Sequence, residues 1–179
     1  MVITFIGYRG SGKSTLAQIV ASRLGWECVD ADREIESRAG KTIREIFADS
    51  GESEFRKWER AVMSDLLNQN QIVIAAGGGA ILNEQTRAEM KAAGPVVWLN
   101  ASAPTLWNRI QGDSQTTDSR PNLTNDGGFA EVERLLAKRE PLYRDCASME
   151  IDVESSDIEQ LADSISQALR NELPEGTSR

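Results

Sequence analysis

The stretch Gly7-Tyr-Arg-Gly-Ser-Gly-Lys-Ser14 fits G-x-x-x-x-G-K-[ST]. Residue types at this spacing do one kind of chemistry. Glycines let the backbone turn tightly and leave no Cβ in the way of a phosphate. Successive N–H groups then point inward as an anion nest. Gly10, Ser11, Gly12, Lys13, Ser14 and Thr15 are therefore the candidate cradle for a nucleoside triphosphate. In such a loop the lysine reaches the β- and γ-phosphates, and the hydroxyl after it sits on Mg²⁺.

The motif means something only if a strand precedes it and a helix follows. Residues 2–6, Val-Ile-Thr-Phe-Ile, are β-branched and aromatic without a charge and read as a buried strand. Residues 16–24 carry apolar side chains at helical spacing, so the phosphates would meet a helix N-terminus. Beyond them, strands are expected at 27–30, 72–76, 96–99 and 149–153. Helices are expected at 32–38, 42–47, 52–67, 84–93, 104–110, 129–138 and 158–169. Thr42 with Glu45 forms a capping-box pattern, and Pro141 reads as a break after the 129–138 helix. Residues 111–128 are polar and rich in Asp, Ser, Thr, Asn and Gly, the composition of a mobile loop. Five short strands separated by helices predict a three-layer α/β/α sandwich with a mostly parallel sheet. Its ligands gather at the carboxyl ends of the strands.

That rule selects further candidates. Asp30 and Asp32 follow the second strand. Spaced by two on extended chain, they would face one side: one would support a metal, the other an acceptor hydroxyl. The same pair would also serve as an N-cap for the following helix. The third strand ends in Gly77-Gly78-Gly79 with no acid, which argues against a switch-type GTPase and for a small-molecule kinase. A triple glycine also marks a place where something approaches the backbone closely. Arg56 stands on an amphipathic stretch, Arg120 inside the polar loop, and Arg139 and Arg144 on either side of Pro141. An arginine at the tip of a closing loop would neutralise charge developing on a γ-phosphate. Others would suit an anionic acceptor, because the guanidinium fork matches a carboxylate. Spacing alone does not bring them together.

The chain has 179 residues, enough for a domain with a full core, and a net charge of −8. An acidic chain with pI about 4.7 argues against nucleic-acid and membrane-surface roles, so positive charge must be local. Two distant cysteines, Cys28 and Cys146, fit a reduced, cytoplasmic setting and a packing role. No run is long and apolar enough to read as a membrane span, and the N-terminus enters the first strand without a leader pattern. Histidine is absent, so a general base must be a carboxylate, a lysine or water. Trp58 and Trp107 are expected to be buried or half-buried.

Five features in order resemble the shikimate kinase family: GYRGSGKST, the Asp-x-Asp of VDADREIE, GESEFRKWE, AAGGGA, and SRPNL followed by AKREPLY. The resemblance runs from residue 2 to about 169. It implies the nucleoside monophosphate kinase-like fold, with strand order 2-3-1-4-5 and a lid at about 111–126. It also implies γ-phosphoryl transfer from ATP, with Mg²⁺, to the 3-hydroxyl of shikimate. By the family pattern, Asp32 matches the acid on the shikimate hydroxyls and Asp30 the acid near the metal. Arg56 and Arg139 match the pair that clamps the shikimate carboxylate, and Gly78, within Gly77–Gly79, a backbone N–H to the substrate. Arg120 matches the lid arginine on the phosphates and Arg109 an arginine near adenine. Two departures stand out: a longer lid, and a 154–157 segment with neither the arginine nor the proline that often holds adenine. The expectation is a monomeric, cytoplasmic enzyme with one kinase domain over 1–171 and a disordered tail at 172–179. The competing readings are a kinase of this fold for another small molecule, such as gluconate or a nucleotide, and a non-catalytic nucleotide-binding homologue.

Overall fold

The structure, a computed structural model, describes residues 1–112 and 128–172. Five parallel strands stand in the order β2-β3-β1-β4-β5, as expected. They are β1 (Val2–Gly7), β2 (Glu27–Asp30), β3 (Ile72–Ala75), β4 (Val96–Asn100) and β5 (Met149–Asp152). The described residues form seven α-helices: α1 (Lys13–Leu24), α2 (Ala31–Ala39), α3 (Ile43–Leu67), α4 (Glu84–Ala93), α5 (Ala103–Gly112), α6 (Phe129–Cys146) and α7 (Ile158–Glu172).

The two-residue period of the strands divides the core. Ile6, Ile74 and Trp98 point to one face, where α2, α3 and α4 cover them. Phe5, Val73, Val97 and Leu99 point to the other, against α1, α5 and α7. Burial on both faces explains why β1, β3 and β4 read as largely apolar runs, whereas the edge strands β2 and β5 carry Glu27, Asp30, Glu150 and Asp152. Both cysteines are free; Cys146 is buried in the first core and Cys28 is half-buried beside the second. Burial pushes the Cys146 thiol up to about 11. Trp58 and Trp107 are half-buried against opposite cores.

Two expectations are corrected, at the 129–138 helix and at Asp32. The helices expected at 42–47 and 52–67 are both present, as the two limbs of α3 on either side of Gly51, whose φ of 76° and ψ of 179° leave the helical region. The capping box at Thr42 and Glu45 is present at its start. The 129–138 helix does not end before Pro141; α6 continues through it to Cys146. An interior proline removes one backbone bond and commonly costs about 3 kcal/mol. Here the turns beyond it bury Tyr143 and Cys146, at 0% and 2% exposure, and that burial offsets the loss. Finally, Asp32 is not on extended chain. The chain turns into α2 at Ala31, so Asp32 lies in the first helical turn.

The path of α6 positions the site. Its first half packs Val132 into the core against α1, α5 and α7, whereas Tyr143 and Cys146 pack into the other core. The middle of the helix therefore crosses from one layer to the other, carrying Arg139.

Gly94 joins α4 to β4 with φ 150°, and a Cβ there would stand 2.3 Å from the carbonyl oxygen of Val2 in β1. Neither backbone can yield, since Val2 is in the sheet. The expected outcome for Gly94→Ala is a loss of roughly 2 kcal/mol of stability. That loss would lower Tm by about 5 °C. Calorimetry checks it; an unchanged Tm would contradict this packing.

Candidate active site

The carboxyl ends of β1, β2 and β3 lie level, because Phe5 and Asp30 are both in register with Ala75. The loop after β1, the acids after β2 and the glycines after β3 therefore meet at one edge. Gly10 and Gly12 hold φ of 82° and 89°, a region that side-chain-bearing residues seldom enter. Gly10 is also crowded by α5: a Cβ would approach the Leu106 carbonyl oxygen and Ile110 Cγ1, each at 3.1 Å. Gly12 caps α1, so the free N–H groups of that helix open into the loop. The loop closes on itself through Ser11 N–H to the Tyr8 carbonyl, at 3.2 Å. Lys13 Nζ donates to the same carbonyl at 2.9 Å, which lays the ammonium across the mouth of the loop. Ser11 is buried, while Ser14 and Thr15 are exposed in the first turn of α1.

Asp30 serves two roles through different oxygens. Its Oδ1 caps α2, accepting from the N–H groups of Asp32 at 3.0 Å and Arg33 at 3.3 Å. Its Oδ2 accepts from the Ser14 hydroxyl at 2.6 Å. The cap and the metal-side role foreseen for this residue are thus compatible. A hydroxyl beside a carboxylate is a hard-oxygen pair suited to Mg²⁺, which takes one or two carboxylates along with phosphate and water oxygens. The described residues hold no cluster of three metal-ligating side chains, and such a site does not need one. Asp32 stands one helical step past Ala31, half-buried on the same rim.

The two arginines that spacing left apart are brought together by Gly77–Gly79. Arg139 is buried, and its Nη1 donates to the Gly78 carbonyl at 3.2 Å. Its guanidinium lies over the Tyr8 ring, 5.4 Å from the centroid. Arg56 lies against the next residue: a Cβ on Gly79 would stand 2.2 Å from Arg56 Nη1. Arg56 is held from behind by Glu52, at 2.9 Å, and by Glu59, at 2.7 Å. Burial works against the charge of Arg56, but Glu59 and Glu52 outweigh it and hold the guanidinium above its ordinary value. The Glu59 side chain is only 6% exposed. Removing one partner of such a pair strands the other charge, typically at about 3–5 kcal/mol. Burial also raises the Tyr8 phenol, although Arg139 opposes it.

Arg109 is exposed on α5 and donates from Nη2 to the Val153 carbonyl at 3.2 Å, tying α5 to the chain after β5. In the 154–157 segment, Glu154 accepts from the Ser102 hydroxyl at 2.8 Å. Asp157 accepts from the N–H groups of Glu159 and Gln160 at the start of α7. Arg120 and the expected lid fall outside the described residues, apart from Gln111 and Gly112, which close α5. Apart from these, a groove of about 560 Å³ runs along α3 beside Lys57 and Arg60 and shares only Arg56 with the site.

Sequence reasoning passed over Glu59, Tyr8 and Tyr143. Glu59 had a signal, an acid three residues from Arg56 on a helix, where side chains meet. Tyr143 had one only if α6 was known to pass Pro141.

A parallel sheet in this order, a phosphate cradle at its carboxyl edge and paired cations opposite define an α/β nucleotide-dependent phosphotransferase of the P-loop class. Comparison with known proteins narrows this. The sequence model described as "Shikimate kinase" matches residues 9–170, and the chain belongs to the shikimate kinase family. It is 44% identical over 155 residues to a shikimate kinase of Rhodopirellula baltica, covering 87% of this chain and 83% of that one. It is 41% identical to one of Nitrobacter winogradskyi, over 87% of this chain and 70% of that one. The shikimate kinase of Acinetobacter baumannii, solved in complex with shikimate, superposes with a TM-score of 0.88 at 35% identity, over 97% of this chain and 95% of that one. A Sinorhizobium meliloti gluconokinase aligns with a TM-score of 0.54 at 13% identity, a likeness of fold alone.

Gly79→Ala is expected to drive the Arg56 guanidinium off the turn, because a flexible side-chain end yields before backbone does. A crystal structure of the variant should show Arg56 displaced and its contact with Glu59 altered. An unmoved guanidinium would contradict the close approach.

Proposed function

We propose that the chain transfers the γ-phosphoryl group of ATP to the 3-hydroxyl of shikimate, releasing ADP and shikimate 3-phosphate. The observation that carries this is the convergence of Arg56 and Arg139 on Gly77–Gly79, beside the phosphate loop. Two guanidinium forks held by buried partners make a seat for a small carboxylate, one strand away from a nucleotide cradle. The alternative acceptor, gluconate, is supported by likeness of fold only, and a merely nucleotide-binding role leaves this seat without a purpose.

The residues divide the work as follows. Backbone N–H groups at Gly10–Thr15 and the N-terminus of α1 receive the phosphates, and Lys13 leaves the Tyr8 carbonyl for the β- and γ-oxygens. Ser14 and Asp30 would hold Mg²⁺, which when bound neutralises phosphate charge. Arg56 and Arg139 grip the acceptor carboxylate and so aim its 3-hydroxyl at the γ-phosphorus. Asp32 accepts a hydrogen bond from that hydroxyl and takes its proton as the O–P bond forms and the bond to the β–γ bridging oxygen breaks. With no histidine in the chain, a carboxylate is the natural group for this task. Positioning and charge neutralisation supply most of the rate in such transfers. Arg109 is assigned to the adenine side and Arg120 to the phosphates.

A single kinase domain over 1–171, acting as a monomer in the cytoplasm, completes the proposal. Free cysteines support that compartment, and no helix among the described residues is long and apolar enough to cross a membrane.

ADP release from MgATP, followed by a coupled assay, should require shikimate and stay at background with gluconate or quinate. Release with gluconate but not shikimate would overturn the acceptor. Lys13→Ala is expected to lower turnover at least about a hundredfold, the scale of losing one charge-stabilising donor. Near-normal turnover would remove Lys13 from its assigned role.

A further inference from the structure

Three consecutive glycines carry no side chains to hold their peptide planes, so the orientation of Gly77–Gly79 is set by what bonds to its backbone. The Gly78 carbonyl receives two donors: Arg139 Nη1 at 3.2 Å and the Tyr143 hydroxyl at 3.0 Å. A carbonyl oxygen offers two lone pairs, and here each has one donor. Tyr143 lies one turn beyond Arg139 on α6, on the far side of Pro141, and is fully buried. Its ring stacks on Trp98 of β4, centroids 5.8 Å apart with planes 18° from parallel. The hydroxyl is therefore delivered by a rigid ring packed against the sheet, not by the mobile end of a long chain. Arg139 has four rotatable bonds and takes its place from the Tyr8 face and the Gly78 carbonyl.

We propose that Tyr143 is a positioning residue for the acceptor site. Its hydroxyl fixes the Gly78 carbonyl, and that carbonyl seats the Arg139 fork. The inference rests on the reading of Arg139 as part of the carboxylate clamp. It explains why α6 persists through Pro141: a helix ending there would leave Tyr143 out of register with Arg139 and the glycine turn without its second donor.

The test is steady-state kinetics on full-length Tyr143→Phe, Arg139→Ala and the double variant, varying each substrate in turn. Tyr143→Phe keeps the ring and its stacking on Trp98 and removes only the hydroxyl. KM is also independent of how much of the preparation is folded, so a loss of stability does not mask the result. The expected result is a rise in shikimate KM of roughly three- to tenfold, the scale of one buried hydrogen bond, with the ATP KM moved less than about twofold. In the Arg139→Ala background the hydroxyl should have nothing left to seat, and its removal should raise shikimate KM no further. An unchanged shikimate KM in Tyr143→Phe overturns the proposal, as does an equal rise in both KM values. The same rise with and without Arg139 also overturns it, since that is what a structural role alone would give. If Arg139→Ala leaves shikimate KM unaltered, the clamp reading of Arg139 fails first, and the role given to Tyr143 fails with it.

Discussion

A site that binds phosphate through backbone N–H groups needs glycine wherever its turn takes a positive φ, and such a backbone does not hold its own shape. Gly10 and Gly12 sit at positive φ, and Gly77–Gly79 form a second bare stretch one strand away. The rest of the active edge supplies the restraint they lack. Lys13 and the Ser11 N–H close the first loop onto the Tyr8 carbonyl. Arg139 and Tyr143 pin the second through the Gly78 carbonyl, and Arg56 fills the space beside Gly79. Rigid sheet, bare backbone and anchored arginines thus form one mechanical unit.

The electrostatics follow the same plan. The chain is acidic overall, so its cations have to be gathered and aimed. Arg56 is aimed by a nearly buried Glu59 and an exposed Glu52, and Arg139 by the Tyr8 ring and a carbonyl. Exposed ion pairs elsewhere, such as Lys57 with Glu54, contribute about 1 kcal/mol or less and organise little. The difference is burial: a desolvated pair holds its geometry, whereas a solvated one competes with water.

Tyr8 links the two halves. Its carbonyl faces the nucleotide lysine, and its ring carries the arginine assigned to the acceptor. In the proposed assignment, the donor-side lysine and the acceptor-side arginine are therefore both held by one residue of the phosphate loop.

The phosphate loop, the five strands and their parallel order were legible in the residues themselves or in the family resemblance, because period and turn chemistry act over a few neighbours. The twin role of Asp30 was half legible, since capping is local while its second oxygen meets Ser14 only across two strands. Asp32 was misplaced because alternation assumes extended chain, and the cap at Asp30 starts the helix one residue earlier. Pro141 reads locally as a stop, since a local rule cannot know that Tyr143 and Cys146 will find a core. The placing of Arg56 and Arg139 against neighbouring residues of the glycine turn, and the sharing of one carbonyl by Arg139 and Tyr143, were decided by tertiary structure alone. These contacts join residues more than sixty positions apart or depend on the course of a whole helix. A sequence states which groups are available at each position; only the packing of α3 and α6 over the edge of the sheet determines which of them share a space.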